Sequence, residues 1–185
     1  MTLALRGRHQ VLNALTAVRL LEELPAFGLE VPDAAIRTGL TKVHWRGRLE
    51  FLSGPATQQV LVDAAHNPAG LATFTAYAQE VFPSGLPVVF AAMQDKDVDG
   101  MLAALRPAAT HLICTQPRTP RAIPARDLAE RARSLAPPTP VEQDPEPLSA
   151  LKRAWQISPM VAAVGSIYLI GEIIAELEHG KPPSV

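Results

Sequence analysis

The sequence predicts an α/β fold in which a mainly parallel sheet is flanked by helices on both faces and carries an antiparallel hairpin at one edge. Three observations predict it. Short aliphatic runs at 58–62, 87–92, 110–114 and 160–164 alternate with stretches of helical periodicity. Polar residues collect just after those runs, at 63–67, 94–97, 115–121 and 165–166, whereas the opposite turns at 82–87 and 136–140 are mostly Pro, Gly, Ser and Ala. Residues 48–52 and 58–62 also flank Ser53-Gly54-Pro55, a hairpin signature. Right-handed crossovers put the C-terminal ends of parallel strands on one rim, so one rim is expected to be functional and the other connective.

The elements follow in order. Val11, Leu12, Leu15, Val18, Leu21 and Leu24 recur at helical spacing and predict a helix over 9–24, ended by Pro25. A shorter helix begins with Pro32 in its first turn and runs through Ala35, Ile36 and Leu40. These two helices have little to pack against unless they fold onto the later sheet. After Trp45 come the hairpin, helices at 68–82, 98–105, 125–135, 147–155 and 167–178, and a weak strand at 140–142. The expected organisation is 1–44 as helices plus linker, 45–179 as the α/β domain and 180–185 within a frayed tail that starts at His179.

A chain of 185 residues holds one full core. With 48% hydrophobic and 19% charged residues and a net charge of -1, it is globular and offers no electrostatic case for nucleic acid or an anionic membrane. The single cysteine, Cys114, lies in an apolar run and reads as a buried, inert thiol, in keeping with a reducing cytoplasm. Arg6 and Arg8 interrupt any signal-like segment, and the longest apolar stretch, 160–174, contains Gly165, Ser166, Gly171 and Glu172 and falls short of the roughly 20 residues a membrane span needs. A soluble, cytoplasmic protein is expected.

Asp63-Ala64-Ala65-His66-Asn67-Pro68 places an acid, an imidazole and an amide where a strand gives way to a helix, the position at which open α/β sheets hold ligands. Asp63 and His66 either point into one cleft or form a solvated turn, and Asn67 before Pro68 is well placed as a helix N-cap. Arg48 is an exposed edge-strand arginine or an anion donor of the bidentate kind. His9 and Asn13, four apart on one helix face, are surface polar residues or address one ligand, an amide being suited to an adenine edge. Gly165-Ser166 opens the last helix as an N-cap or an anion site. Lys96, in Asp95-Lys96-Asp97, sits in a charged turn where it can balance an anionic substrate. No Cys/His cluster has metal-ligand spacing, no Gly-x-Ser-x-Gly elbow occurs, and no Gly-x-x-x-x-Gly-Lys-[Ser/Thr] loop is present.

Four segments in order, beginning at His9, Trp45, Asp63 and Gly165, resemble the C-terminal part of the folylpolyglutamate synthase/dihydrofolate synthase family, relatives of the Mur ligases. The resemblance runs from about Gly7 to Glu172, with Arg46 where the family usually has Pro and Ala64 where it usually has Gly. It implies a Rossmann-like sheet of the Mur-ligase C-terminal type and an ATP-dependent ligase that joins L-glutamate to a folate or dihydropteroate through an acyl phosphate. It implies roles for Asn13 at adenine, Arg48 at phosphate, Asp63 at the nucleotide, and His66 and Ser166 at glutamate, with lesser roles for His9 and Lys96. ATP and magnesium belong to the complete enzyme, with none assigned to this chain alone. Residues 1–44 are then the last helices of an ATP-binding domain whose P-loop, magnesium ligands and most of the pterin site lie upstream, and the chain by itself is expected to be inactive. The alternatives are a stand-alone nucleotide- or metabolite-binding module, a subunit completed in trans by a separate ATPase, and a fragment of a Mur-type amino-acid ligase with another acceptor.

Overall fold

In the computed structural model, which describes residues 2–135 and 139–179, contacts divide the chain into two compact units, Met1–Leu49 and Glu50–Val185. In the first, the apolar spacing forms α1 (Arg8–Glu23). Pro25 does not stop the chain there: Leu24–Phe27 continue as a 3-10 turn with Pro25 in its first positions, where its missing N–H costs nothing. Gly28 closes the turn at φ 77°, donating to the Leu24 and Pro25 carbonyls. α2 (Asp33–Lys42) carries Asp33 in its first turn and Lys42 in its last, matching the helix dipole. Neither helix buries a residue, and Val11, Leu12, Leu15 and Leu20 are exposed.

The second unit contains β1 (Glu50–Ser53), β2 (Gln59–Val62), α3 (Pro68–Val81), β3 (Leu86–Phe90), α4 (Val98–Leu105), β4 (Ala109–Cys114), α5 (Ala125–Leu135), β5 (Val141–Gln143), α6 (Pro147–Ile157), β6 (Met160–Val164) and α7 (Ile167–His179). The strands form one sheet in the order β1-β2-β6-β3-β4-β5. β1 pairs antiparallel with β2 and forms one edge, as the hairpin predicts, and the other pairings are parallel. The expected turn at 136–140 lies partly, and the tail at 180–185 wholly, outside the described residues.

Strand residues alternate between faces. Val60, Val62, Val89, Ala91, Ile113, Val161 and Ala163 pack with Ala150, Leu151, Ala154 and Trp155 of α6 and Leu169, Ile170 and Ile173 of α7. Leu61, Val88, Phe90, Leu112 and Val164 take the opposite phase, toward the buried sides of α3, α4 and α5. A proline inside an interior strand removes a ladder donor, and the register shift between Leu86 and Pro87 absorbs that loss. Trp155 secures the hairpin: its indole N–H donates to the Gln59 carbonyl at 3.0 Å, and a Cβ at Gly54 would lie 2.6 Å from its ring. Among the described residues no helix is long and apolar enough to cross a membrane.

Candidate functional site

The strand order creates a crevice. β2 and β3 lead into α3 and α4 on one face of the sheet, and β6, inserted between them, leads into α7 on the other. Chain departing in opposite directions from neighbouring parallel strands opens a gap at their C-terminal ends. A cavity of about 350 Å³ is found there, lined by His66 after β2, Met93 and Lys96 after β3, Arg121 after β4, and Ser166, Ile167 and Tyr168 after β6. The fold therefore unites His66, Lys96 and Ser166, all singled out from sequence, and adds Arg121 and Tyr168. A cavity of about 390 Å³ beside the β1–β2 turn, lined by Gly54, Pro55 and Trp155 among others, contains none of the motif residues.

Each side chain is set by local bonds. Asp63 follows β2, is only 7% exposed, and accepts the Ala65 N–H at 2.8 Å, so it is a buried brace of the turn rather than a solvated residue. Ala64 makes that turn without a positive φ. His66 Nδ1 lies 2.9 Å from the Ala64 carbonyl, which can only accept, so Nδ1 carries the proton and Nε2 is the lone-pair nitrogen of the neutral ring. Asn67 caps α3 by accepting the Gly70 N–H at 2.8 Å, with Pro68 at the first helical position.

Gly165 donates to the Ala65 carbonyl at 3.0 Å, joining the β6 and β2 loops. Its φ of 103° and a Cβ position only 2.2 Å from the Ala91 carbonyl restrict the site to glycine. Ser166, 1% exposed, accepts from the Tyr168 and Leu169 N–H groups at 3.1 and 3.4 Å. Both bonds use the oxygen's lone pairs, so the hydroxyl proton is available to a ligand. N-capping and ligand contact are thus compatible in one side chain.

Asp95 lies between two cations, Lys96 Nζ at 2.9 Å from Oδ2 and Arg121 Nη2 at 2.9 Å from Oδ1. The Lys96 hydrogen bond, then that of Arg121, pulls its carboxyl down to about 2. Arg121 escaped the sequence reading because it lies in a Pro-rich loop with no catalytic spacing; its place just after the β4 segment was the one signal that marked it. Cys114 is fully buried, and burial pushes its thiol up to about 12, the inert state expected of it.

The other candidates sit in the first unit. The His9 ring packs over Gly7, and its Nε2 accepts from the Gln10 amide at 3.0 Å, while Asn13 donates to Gln10 Oε1 at 3.1 Å. Gln10, which the sequence reading passed over, thus links the two. Asn13 also lines a cavity of about 250 Å³ with Leu3, Leu5, Ala17, Leu40 and Val43, apolar walls around an amide that can read a heterocycle edge. Arg48 is exposed and has no ion-pair or hydrogen-bond partner among the described residues. Among those residues no three His, Cys, Asp or Glu side chains converge as a metal site.

Residues 47–168 match the family model for the Mur ligase, glutamate ligase domain. The dihydrofolate synthase/folylpolyglutamate synthase of Mycobacterium tuberculosis is 37% identical over 130 residues, 69% of this chain and 26% of that protein. The structure of Mycobacterium tuberculosis folylpolyglutamate synthase complexed with ADP matches with a TM-score of 0.83 and 31% identity, over 98% of this chain and 42% of that one. A bifunctional folylpolyglutamate synthase/dihydrofolate synthase with Mn, AMPPNP and L-glutamate bound gives a TM-score of 0.70 at 27% identity, over 81% and 36% of the two chains. The chain thus spans less than half the length of each of these relatives. The family match and the structural likeness across most of its length agree, and the chain belongs to the Mur ligase family, with residues 47–168 as its glutamate ligase domain.

Proposed function

We propose that this chain is the C-terminal portion of an ATP-dependent ligase that adds L-glutamate to a folate or dihydropteroate through an acyl phosphate. The observation that carries the reading is the convergence of the His66 lone pair, the Ser166 hydroxyl and the Lys96 and Arg121 cations in one crevice. That set suits an amino acid whose amine must lose a proton and whose carboxylates must be held. The ADP, AMPPNP and L-glutamate held by the relatives support it.

In this reading an acceptor carboxylate oxygen attacks the γ-phosphorus of ATP and ADP leaves. The glutamate amine then attacks the acyl carbon, its proton passes to His66 Nε2, and the C–O bond to phosphate breaks. Ser166 donates to a glutamate carboxylate and Lys96 balances its charge. Asp63, Asn13 and Arg48 serve the nucleotide, Asn13 at adenine and Arg48 at phosphate, with His9 orienting Asn13 through Gln10. Magnesium would offset phosphate charge; its ligands and the phosphate loop are assigned to chain outside these 185 residues, because no such loop occurs within them. Action in the cytoplasm, where ATP and reduced folates meet, belongs to the same reading.

The test is ADP release with ATP, magnesium, L-glutamate and dihydropteroate or a reduced folate. The chain alone is expected to be silent, and a fusion to the N-terminal portion of a relative is expected to release ADP and form a glutamylated product. Glutamate-dependent release by the chain alone would sink the half-enzyme reading. An inert fusion, beside an active control made from the relative's own two portions, would sink the ligase reading, and turnover only with other acceptors would make it a different Mur-type ligase.

A further inference from the structure

Arg121 is a cation on the polar rim that no motif marked, and the backbone around it is well fixed. The segment carrying it is sewn to the end of β3: the Gln94 N–H donates to the Arg121 carbonyl at 2.9 Å, the Ile123 N–H donates to the Ala92 carbonyl at 3.0 Å, and Met93 pairs with Ala122 as an antiparallel bridge. The Gln94 amide adds a bond to the Ala122 carbonyl at 3.2 Å. The guanidinium then pairs with Asp95, and Tyr168 lines the same cavity.

We propose that Arg121 binds the side-chain carboxylate of the incoming amino acid and, with Lys96, selects a dicarboxylic amino acid over a neutral one; the proposal rests on the glutamate-ligase reading. Asp95 fixes both cations without saturating them. It engages one Nη of Arg121 and one donor of Lys96, whereas a guanidinium offers five N–H groups and an ammonium three. Two cations against one carboxylate leave a positive charge uncompensated in the cavity that His66 also lines. L-Glutamate supplies the second carboxylate that balances it. L-Glutamine, of nearly the same shape, carries a neutral amide there and leaves that positive charge without an anionic partner.

The experiment is an NMR titration of the isotope-labelled 185-residue chain with L-glutamate, L-glutamine and glutarate, repeated on R121Q. The expected result is an L-glutamate Kd at least about tenfold below that of L-glutamine, a difference R121Q abolishes while leaving L-glutamine affinity unchanged. In the unsubstituted chain the Arg121 Nε–H resonance should shift with L-glutamate and stay put with L-glutamine, a readout that does not depend on the variant folding. Equal discrimination by R121Q, or an unmoved Arg121 resonance, overturns the proposal and leaves the glutamate reading standing. Arg121-dependent binding of glutarate with no preference for L-glutamate would keep the carboxylate role and overturn the glutamate reading, and no binding of either dicarboxylate would overturn both.

Discussion

Arg121 Nη2 stands 2.9 Å from Asp95 Oδ1, an ion pair that ties the chain leaving β4 to the chain leaving β3. Lys96 holds the other carboxylate oxygen, and the two cations keep Asp95 ionised to about pH 2. A carboxyl whose folded pKa is depressed contributes stability above its ordinary value of 3.8, and that contribution fades as pH falls toward 2. The group is solvent-exposed, so the effect on global stability is small. Carbon-detected NMR should find the Asp95 midpoint near 2, moving up toward the ordinary value in R121Q. An ordinary midpoint in the unsubstituted chain would refute the pairing.

Gly165→Ala should be among the most damaging single substitutions. It forces a side chain into φ 103° and against the Ala91 carbonyl and the Phe90 ring. Strain and overpacking together are expected to cost on the order of 3 kcal/mol. Urea unfolding monitored by circular dichroism measures this as a lower midpoint at unchanged slope. Stability within a few tenths of a kcal/mol of the parent (~0.3) would show that the β6–α7 turn relaxes.

Asn67→Ala removes one bond, from the Gly70 N–H to Oδ1, at an exposed helix start. The expected cost is about 1 kcal/mol, and Asn67→Ser or Asp should recover most of it. Chemical denaturation of the three variants checks the order. If Ala and Ser are equal, the Asn67 side chain is not acting as a cap.

The two units should differ in hydrogen exchange. Neither α1 nor α2 buries a residue, whereas β2, β3 and β6 are almost wholly buried. Amides of α1 and α2 are expected to exchange through local opening well before those of the three strands, which should follow global unfolding. Equal protection across residues 8–42 and the sheet would show that the first unit is covered in solution. The measurement is exchange followed by mass spectrometry or NMR on the intact chain.

The sequence by itself determined the features that arise within a few residues of one another. Helical spacing marked α1 to α7 to within a residue or two at most ends, Asn67-Pro68 marked a cap, and the hairpin residues marked β1 and β2, because periodicity, capping and turn geometry are local interactions. His66, Lys96 and Ser166 were legible as candidates because each follows a recognisable strand. Tertiary structure alone decided that β6 lies between β2 and β3, since runs such as Val60-Leu61-Val62, Val88-Val89-Phe90 and Val161-Ala162-Ala163-Val164 are nearly interchangeable as pairing partners. That placement opens the crevice and brings in Arg121 and Tyr168. It also makes Trp155 the partner of Gln59, a contact between residues far apart in the chain. Local propensity cannot encode such choices, because they follow from which packing of the whole sheet buries both faces at once.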